Sequence, residues 1–393
     1  MLKEKFQTIS IYIILLSGIL DVYGKGDFSF AFVIIVLLSL LNLFVSGTQI
    51  KNLPRWLIIY FAFSYFSYFI SRLSPSALIP IGIIKNILVC KLVFDIFELS
   101  QVIKAYRRIA LVCILFFLFQ TFSRYVLGVE VYGVLRQLPL ALGNDDVDYS
   151  FFEDRVRDCS FFAEPAHFAQ FLLPLLALEM FLFTKRSIIR IVLILITLLF
   201  LQSGNALLGI IVISVFLIIK YISFSLKNII VLVLLSVALV SSGVYYLRSE
   251  IGSLVKERID NPEEDFSAFL RIYRGYYVYS AFDLEYKIIG NNNRDYLRKA
   301  NNRSEVSWSF DGSVGDFYYN GIQYILLYTG IIGMLIFIFY CYDMYRHTTY
   351  AGKCLLFLFI CLSFVSSNYF SYPTIMTLGI INLLKNNKSV RLR

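Results

Sequence analysis

The sequence predicts an all-α, polytopic membrane protein of about twelve spans. Three observations carry that prediction. The chain of 393 residues is 58% hydrophobic and 17% aromatic, with only 16% charged residues, a balance that no soluble core of this size needs. Its apolar runs are roughly 15 to 20 residues long, the length an α-helix needs to cross about 30 Å of hydrocarbon. The runs lack the period-2 alternation of outer-membrane barrels, which leaves helices.

The first run, 6–20, follows Lys3 and Lys5 as a signal peptide would. The sequence after it, Asp21-Val22-Tyr23-Gly24, is a poor small-residue cleavage site, so the run reads as a retained helix. Runs at 28–45, 56–70 and 77–94 come next, with Arg72 just before the fourth and Lys85 inside it. The fifth, 109–127, leads into a long polar loop at 128–163. Four closely spaced runs follow at 164–183, 188–202, 206–220 and 228–246, then a second long loop at 247–320. Runs at 321–341, 354–370 and 374–384 complete the chain, which reads as one transmembrane domain over 1–393.

Assigning alternate loops to two sides, with Lys3 and Lys5 inside, allows a test by charge. The inside loops and tails hold 19 basic and five acidic residues, and the outside holds 17 basic and 22 acidic, a split of +14 against −5. That is the positive-inside pattern of a membrane protein with both termini inside. The net charge of +9 therefore reports orientation. A nucleic-acid binder would cluster its cations on one soluble face, and that function is excluded.

Of the six cysteines only Cys159 lies clearly outside the spans, and the two histidines are His167 and His347. No disulfide framework, zinc spacing or His-rich metal site is available, so no metal or cofactor is expected. Carboxylate sites for a hard cation stay open.

The two long outside loops exceed what simple turns need. The second interleaves Tyr273, Tyr276, Tyr277, Tyr279 and Trp308 with charge, and 266–282 has helical spacing of Phe269, Ile272, Tyr273, Tyr276 and Tyr279. Both loops are expected to form an extracytoplasmic cap over the bundle.

Several residues stand out as candidates. Arg157-Asp158-Cys159-Ser160-Phe161-Phe162-Ala163-Glu164-Pro165-Ala166-His167-Phe168 is a dense polar stretch where the sixth span begins, and charge beside a span is expensive. Pro165 suits a first helical turn, which puts Glu164 at the helix start, where a carboxylate is favoured. Glu164 is either a cap or a base, and His167, three residues on, is either its acid–base partner or an interfacial side chain. Arg271 and Arg274 share a helical face, suited either to bidentate capture of phosphate oxygens or to salt bridges with Glu263, Glu264 or Asp265. Asp316 stands just before the tenth span as a further candidate base. Lys85 either holds a lipid phosphate or snorkels.

Read as Arg-x-x-Ser-Phe-Phe-x-Glu-Pro-x-x-Phe, residues 157–168 resemble the signature of bacterial O-antigen and capsular polysaccharide polymerases, relatives of the O-antigen ligases. Looser similarities are Gln202-Ser203-Gly204-Asn205, Arg271-Ile272-Tyr273 followed by Lys287-Ile288-Ile289-Gly290, and Tyr328-Thr329-Gly330-Ile331-Ile332-Gly333. The resemblance covers roughly residues 110 to 340. It implies a GT-C-like helical bundle that polymerises undecaprenyl-diphosphate-linked repeat units at the outer membrane face, with a chain-length regulator as a candidate partner. Arg157, Arg271, Arg274 and Lys85 would bind the lipid diphosphate, with Glu164, His167 or Asp316 as base. The ligases also carry a histidine just before the span after the large loop, and 314–320 has none. That departure favours a polymerase.

Overall fold

The computed structural model describes residues 2–25, 28–47, 52–70, 78–134, 138, 158–183, 187–221, 270–304, 319–367 and 369–386. Among them the chain is helical apart from one antiparallel pairing of two-residue strands, β1 (Gly24–Lys25) with β2 (Phe28–Ser29). The all-α class therefore holds. Eleven of the twelve expected runs are helices, and the ninth, 228–246, lies outside the described residues.

In chain order the helices are α1 (Leu2–Leu20), α2 (Phe30–Ser46), α3 (Arg55–Ile70), α4 (Leu78–Ile96), α5 (Leu99–Leu127), α6 (Pro165–Phe181), α7 (Ile188–Phe200) and α8 (Gly204–Tyr221). A π-helical turn, Leu270–Arg274, leads into three short helices, α9 (Gly275–Ser280), α10 (Leu284–Ile289) and α11 (Arg294–Arg303). Then come α12 (Gly321–His347), α13 (Tyr350–Ser363) and α14 (Tyr372–Asn386).

Two helices make the centre. α6 packs on α5, α7, α8, α13 and α14, and α14 packs on α1, α4, α5, α6, α12 and α13. Both are buried nearly all round, from Phe168 to Phe181 in α6 and from Ile375 to Leu384 in α14. A helix apolar on every face needs this position. The outer helices instead leave large apolar side chains uncovered, such as Leu37 and Phe44 of α2, Leu115 and Phe122 of α5, and Ile338 and Phe339 of α12. Only α12 is both long and apolar enough to cross a membrane among the described helices, with a mean hydropathy of 2.1, and six shorter helices are apolar.

Contacts sort the helix ends into two groups. At one end Gln7 bonds the Ile96 carbonyl, Asn42 bonds Asp95, Arg108 bonds Tyr12, and Lys385 bonds Asp343. This is the basic end. At the other, Gly18 packs against Phe162 and Pro373, Asn205 bonds Ser366, and the Gly321 N–H bonds the Ser366 carbonyl. This is the motif end.

α12 is broken. Gly330 has φ +60° and ψ −163°, and a Cβ there would lie 2.4 Å from the Ile288 carbonyl oxygen. Only glycine fits a left-handed position under another backbone. The break frees carbonyls that find partners nearby, the Leu327 oxygen accepting from the Asn291 N–H at 2.8 Å and the Tyr328 oxygen from Ser67 at 2.9 Å. Above the break α12 is wrapped by residues 275–304, whose core of Val278, Phe282, Tyr296, Leu297 and Ala300 includes Tyr319 and Leu327. Below it the exposed apolar stripe begins, at Ile331. Tyr328 to Gly333 thus lie at a mid-helix break.

Candidate functional site

The stretch that stood out in the sequence is fastened to α5. Ser160 has φ +57°, a left-handed turn that costs a non-glycine residue free energy and persists only where its surroundings impose it. They do so here through a buried amide. Gln120, 2% exposed, accepts from the Ser160 N–H at 2.8 Å and donates to the Val131 carbonyl at 2.8 Å, so one side chain brackets the chain leaving α5 and the chain returning to α6. The Ser160 hydroxyl adds a bond to the Cys113 carbonyl. Gly133 closes the bracket, since a Cβ there would meet the Ser160 carbonyl oxygen at 1.6 Å.

Charge and aromatic stacking complete the attachment. Asp158 meets Arg124 of α5 at 3.1 Å with its side chain 7% exposed. Burial pushes the Asp158 carboxyl above the ordinary carboxylate range, and Arg124 and Thr121 offset only part of that. Phe161 stacks on Phe116 at 4.2 Å, and Phe162 stacks on Phe168 at 5.1 Å. The sequence flagged the charges of this motif but missed Gln120, whose only signal is an amide inside an apolar run.

Glu164 is the N-cap of α6, with Pro165 at the first helical position as expected. Its extended backbone lets its carbonyl accept from the N–H groups of His167 and Phe168, while its half-buried side chain makes no capping hydrogen bond. His167 is exposed one turn on. Further along that face Gln170 and Pro174 line a small open cleft with Thr374 and Thr377 of α14. Pro174 has no N–H, so the Gln170 carbonyl loses its helical donor beside the cleft.

Arg274 sits under the short helices, 4% exposed, with its Nε bonded to the Asn301 Oδ1 at 3.2 Å and its guanidinium 5.9 Å from the Tyr319 ring centre. The expected helix over 266–282 differs in detail. Its described part is the π-helical turn and α9, and it buries Arg274, Gly275 and Val278 while Tyr273 and Tyr276 face outward. The reason is the close seat on α12, where Gln323 donates to the Ile272 carbonyl and leaves room only for Gly275. Gln323 and Asn320 also form the capping box that starts α12. Neither was singled out in the sequence.

Lys85 lies within α4 with its ammonium 5.4 Å from the Tyr372 ring centre. Asp21, bonded to Ser29, is the acid whose charge acts on it. Tyr372 precedes Pro373, which touches Gly18 beside Phe162, so Lys85 belongs to the motif end. Arg157 and Asp316 lie outside the described residues, and of Arg271 only the backbone is described. Among the described residues no group of three or more His, Cys, Asp or Glu side chains gathers where a metal ion could be held.

No family model matches the chain, and no curated protein matches it.

Proposed function

We propose that the chain is a polytopic glycosyltransferase of the bacterial cytoplasmic membrane that polymerises undecaprenyl-diphosphate-linked oligosaccharide repeat units into O-antigen, capsular or exopolysaccharide. The observation that carries this reading is the fastening of residues 158–164 by Gln120, Cys113 and Arg124 at the end of the bundle where Arg274 lies beneath the 275–304 helices. A motif held in a left-handed turn by a buried amide presents its charges at fixed positions, which preorganised catalysis requires. Immersion in the membrane is supported by the apolar stripes of α2, α5 and α12, which water would penalise at about 25 cal/mol per Å². Lys91, Arg107, Arg108, Arg190 and Lys385 sit at the basic end, in keeping with that end being cytoplasmic.

In the mechanism, arginines at the motif end stabilise charge on the departing lipid diphosphate, with Arg157, Arg271, Arg274 and Lys85 as the binding set. Glu164, His167 or Asp316 takes the proton from the acceptor hydroxyl. Tyr273 and Tyr276, exposed on α9 and its π-helical turn, offer faces to sugar rings. A ligase-type transfer to another acceptor uses the same donor chemistry, and a chain-length regulator is a candidate partner.

The break at Gly330 favours a second reading, a transporter of lipid-linked glycan, because broken helices mark transporter sites. Its carbonyls are nonetheless answered by Asn291 and Ser67, so the break is filled with protein. Purified protein given lipid-linked repeat units should produce a polymer ladder, and Arg274→Lys should reduce it by about 30-fold or more, since an ammonium cannot reproduce the guanidinium fork. Movement of the units across a bilayer with no ladder would instead establish the transporter.

A further inference from the structure

Among the described residues of the basic end, one charge cluster does not balance. Glu179, on the last turn of α6 and 0% exposed, receives Arg107 of α5 through two contacts, Nε to Oε1 at 2.5 Å and Nη2 to Oε2 at 3.1 Å. Arg190 of α7 brings its Nε to the same Oε1 at 3.4 Å. Two guanidinium groups therefore share one carboxylate. Of the other carboxylates at this end, Asp95 has one permanent cation, Lys91, and Asp343 has one, Lys385, with the His347 ring 3.0 Å away. A helix C-terminus also favours cations, but its half-charge leaves the cluster positive.

The cluster is open chiefly at Arg190. The Arg107 guanidinium lies over the Phe183 ring at 3.9 Å with its side chain 25% exposed, while the Arg190 side chain is 42% exposed. Beside Arg190 the apolar side chains Ile188 and Ile189 are 74% and 75% exposed. Lys220 adds a third cation nearby, over the rings of Phe181 and Tyr350 at 5.3 and 5.5 Å. A surplus cation flanked by bare aliphatic side chains matches one kind of ligand, an anion carried on an acyl chain.

We propose that Arg107 and Arg190, arranged by Glu179, bind the phosphate of an anionic phospholipid in the leaflet at the basic end. The inference rests on the reading that the bundle spans a membrane, but not on its glycosyltransferase activity. A guanidinium fork matches phosphate oxygens, and basic pockets between helices on the cytoplasmic side take acidic headgroups. Ile188 and Ile189 would lie along the acyl chains.

The test uses the full chain purified in detergent. Phosphatidylglycerol should raise its melting temperature and remain bound in native mass spectra, whereas phosphatidylcholine should do neither. Arg190→Gln keeps Glu179 paired with Arg107 and should weaken phosphatidylglycerol retention about fivefold, while Lys385→Gln, at a balanced pair, should leave it unchanged. Equal effects of the two lipids, or full retention by Arg190→Gln, would overturn the site. An equal shift from inorganic phosphate would assign the cluster to a free anion and overturn the lipid. A chain released from membranes by alkaline washing would show instead that the membrane reading had failed.

Discussion

The two ends of the bundle solve the burial of polar groups by different means. At the basic end ionised side chains meet ionised side chains, as Glu179 meets Arg107 and Arg190 and as Asp343 meets Lys385. At the motif end neutral amides and hydroxyls meet backbone, with Gln120 on Ser160 and Val131, Asn320 on the Phe364 carbonyl, and Gln323 on Ile272. Ion pairs fix where helices terminate. Amide brackets fix the path of the chain between helices, and that path is what a catalytic loop needs held.

The largest effect is expected at Glu179. Glu179→Gln leaves two guanidinium groups around a neutral amide, and removing one partner from a buried pair costs about 3–5 kcal/mol. Arg107 and Arg190 are 25% and 42% exposed, which relieves part of that cost, so about 3 kcal/mol is expected. The reading is a lower melting temperature and less folded protein in the membrane. A variant as stable as the parent would mean that the basic end is held by its apolar packing.

At the motif end the equivalent change is Gln120→Leu, which keeps the volume but strands the Ser160 N–H and the Val131 carbonyl. Each unpaired buried group costs about 1–3 kcal/mol, and the loss should be spent locally. Helix content should persist while polymer formation fails, because the turn at Ser160 loses what imposes it. Equal loss of fold and activity would place Gln120 with Glu179 as a general support.

Asp158 forms a buried ion pair with Arg124 at the motif end, and pH distinguishes it from the pairs opposite. Its folded carboxyl titrates above the ordinary range because burial outweighs Arg124. A raised folded pKa gives stability that is present below the unfolded pKa and lost as pH rises through the folded one. Asp158→Asn should therefore match the parent in acid and exceed it at neutral pH, in melting temperature. An Asn variant weaker at neutral pH would show that the Arg124 contact outweighs desolvation.

What the sequence made legible follows the same division. Apolar runs located the helices, because that signal is local and needs no partner. The motif at 157–168 was visible as charge against a span, but its bracket was not, since Gln120 lies 40 positions from Ser160. The break at Gly330 was invisible for a similar reason, its cause being the approach of Gly290 from the preceding segment. The spacing of the tyrosines around α9 gave a helix but not its buried side, which the seat on Gln323 decides.

Glu164 sets the finest test of the difference between the ends. As the N-cap of α6 its carboxylate favours the helix start by about 0.3–1 kcal/mol, which is all that Glu164→Gln removes if the charge only complements the helix dipole. Its side chain makes no capping hydrogen bond, so even that small loss is electrostatic, and added salt should erase it. If Glu164 is the base, or orients an arginine, the same near-isosteric change should abolish the polymer ladder at unchanged protein level and in any salt. His167→Ala and Asp316→Asn, read by the same ladder, decide which of the three groups carries the proton. Full ladders from all three variants would leave the acceptor hydroxyl without a base among them. The role of the motif end would then reduce to holding the diphosphate, with Arg274 as its most deeply buried described cation.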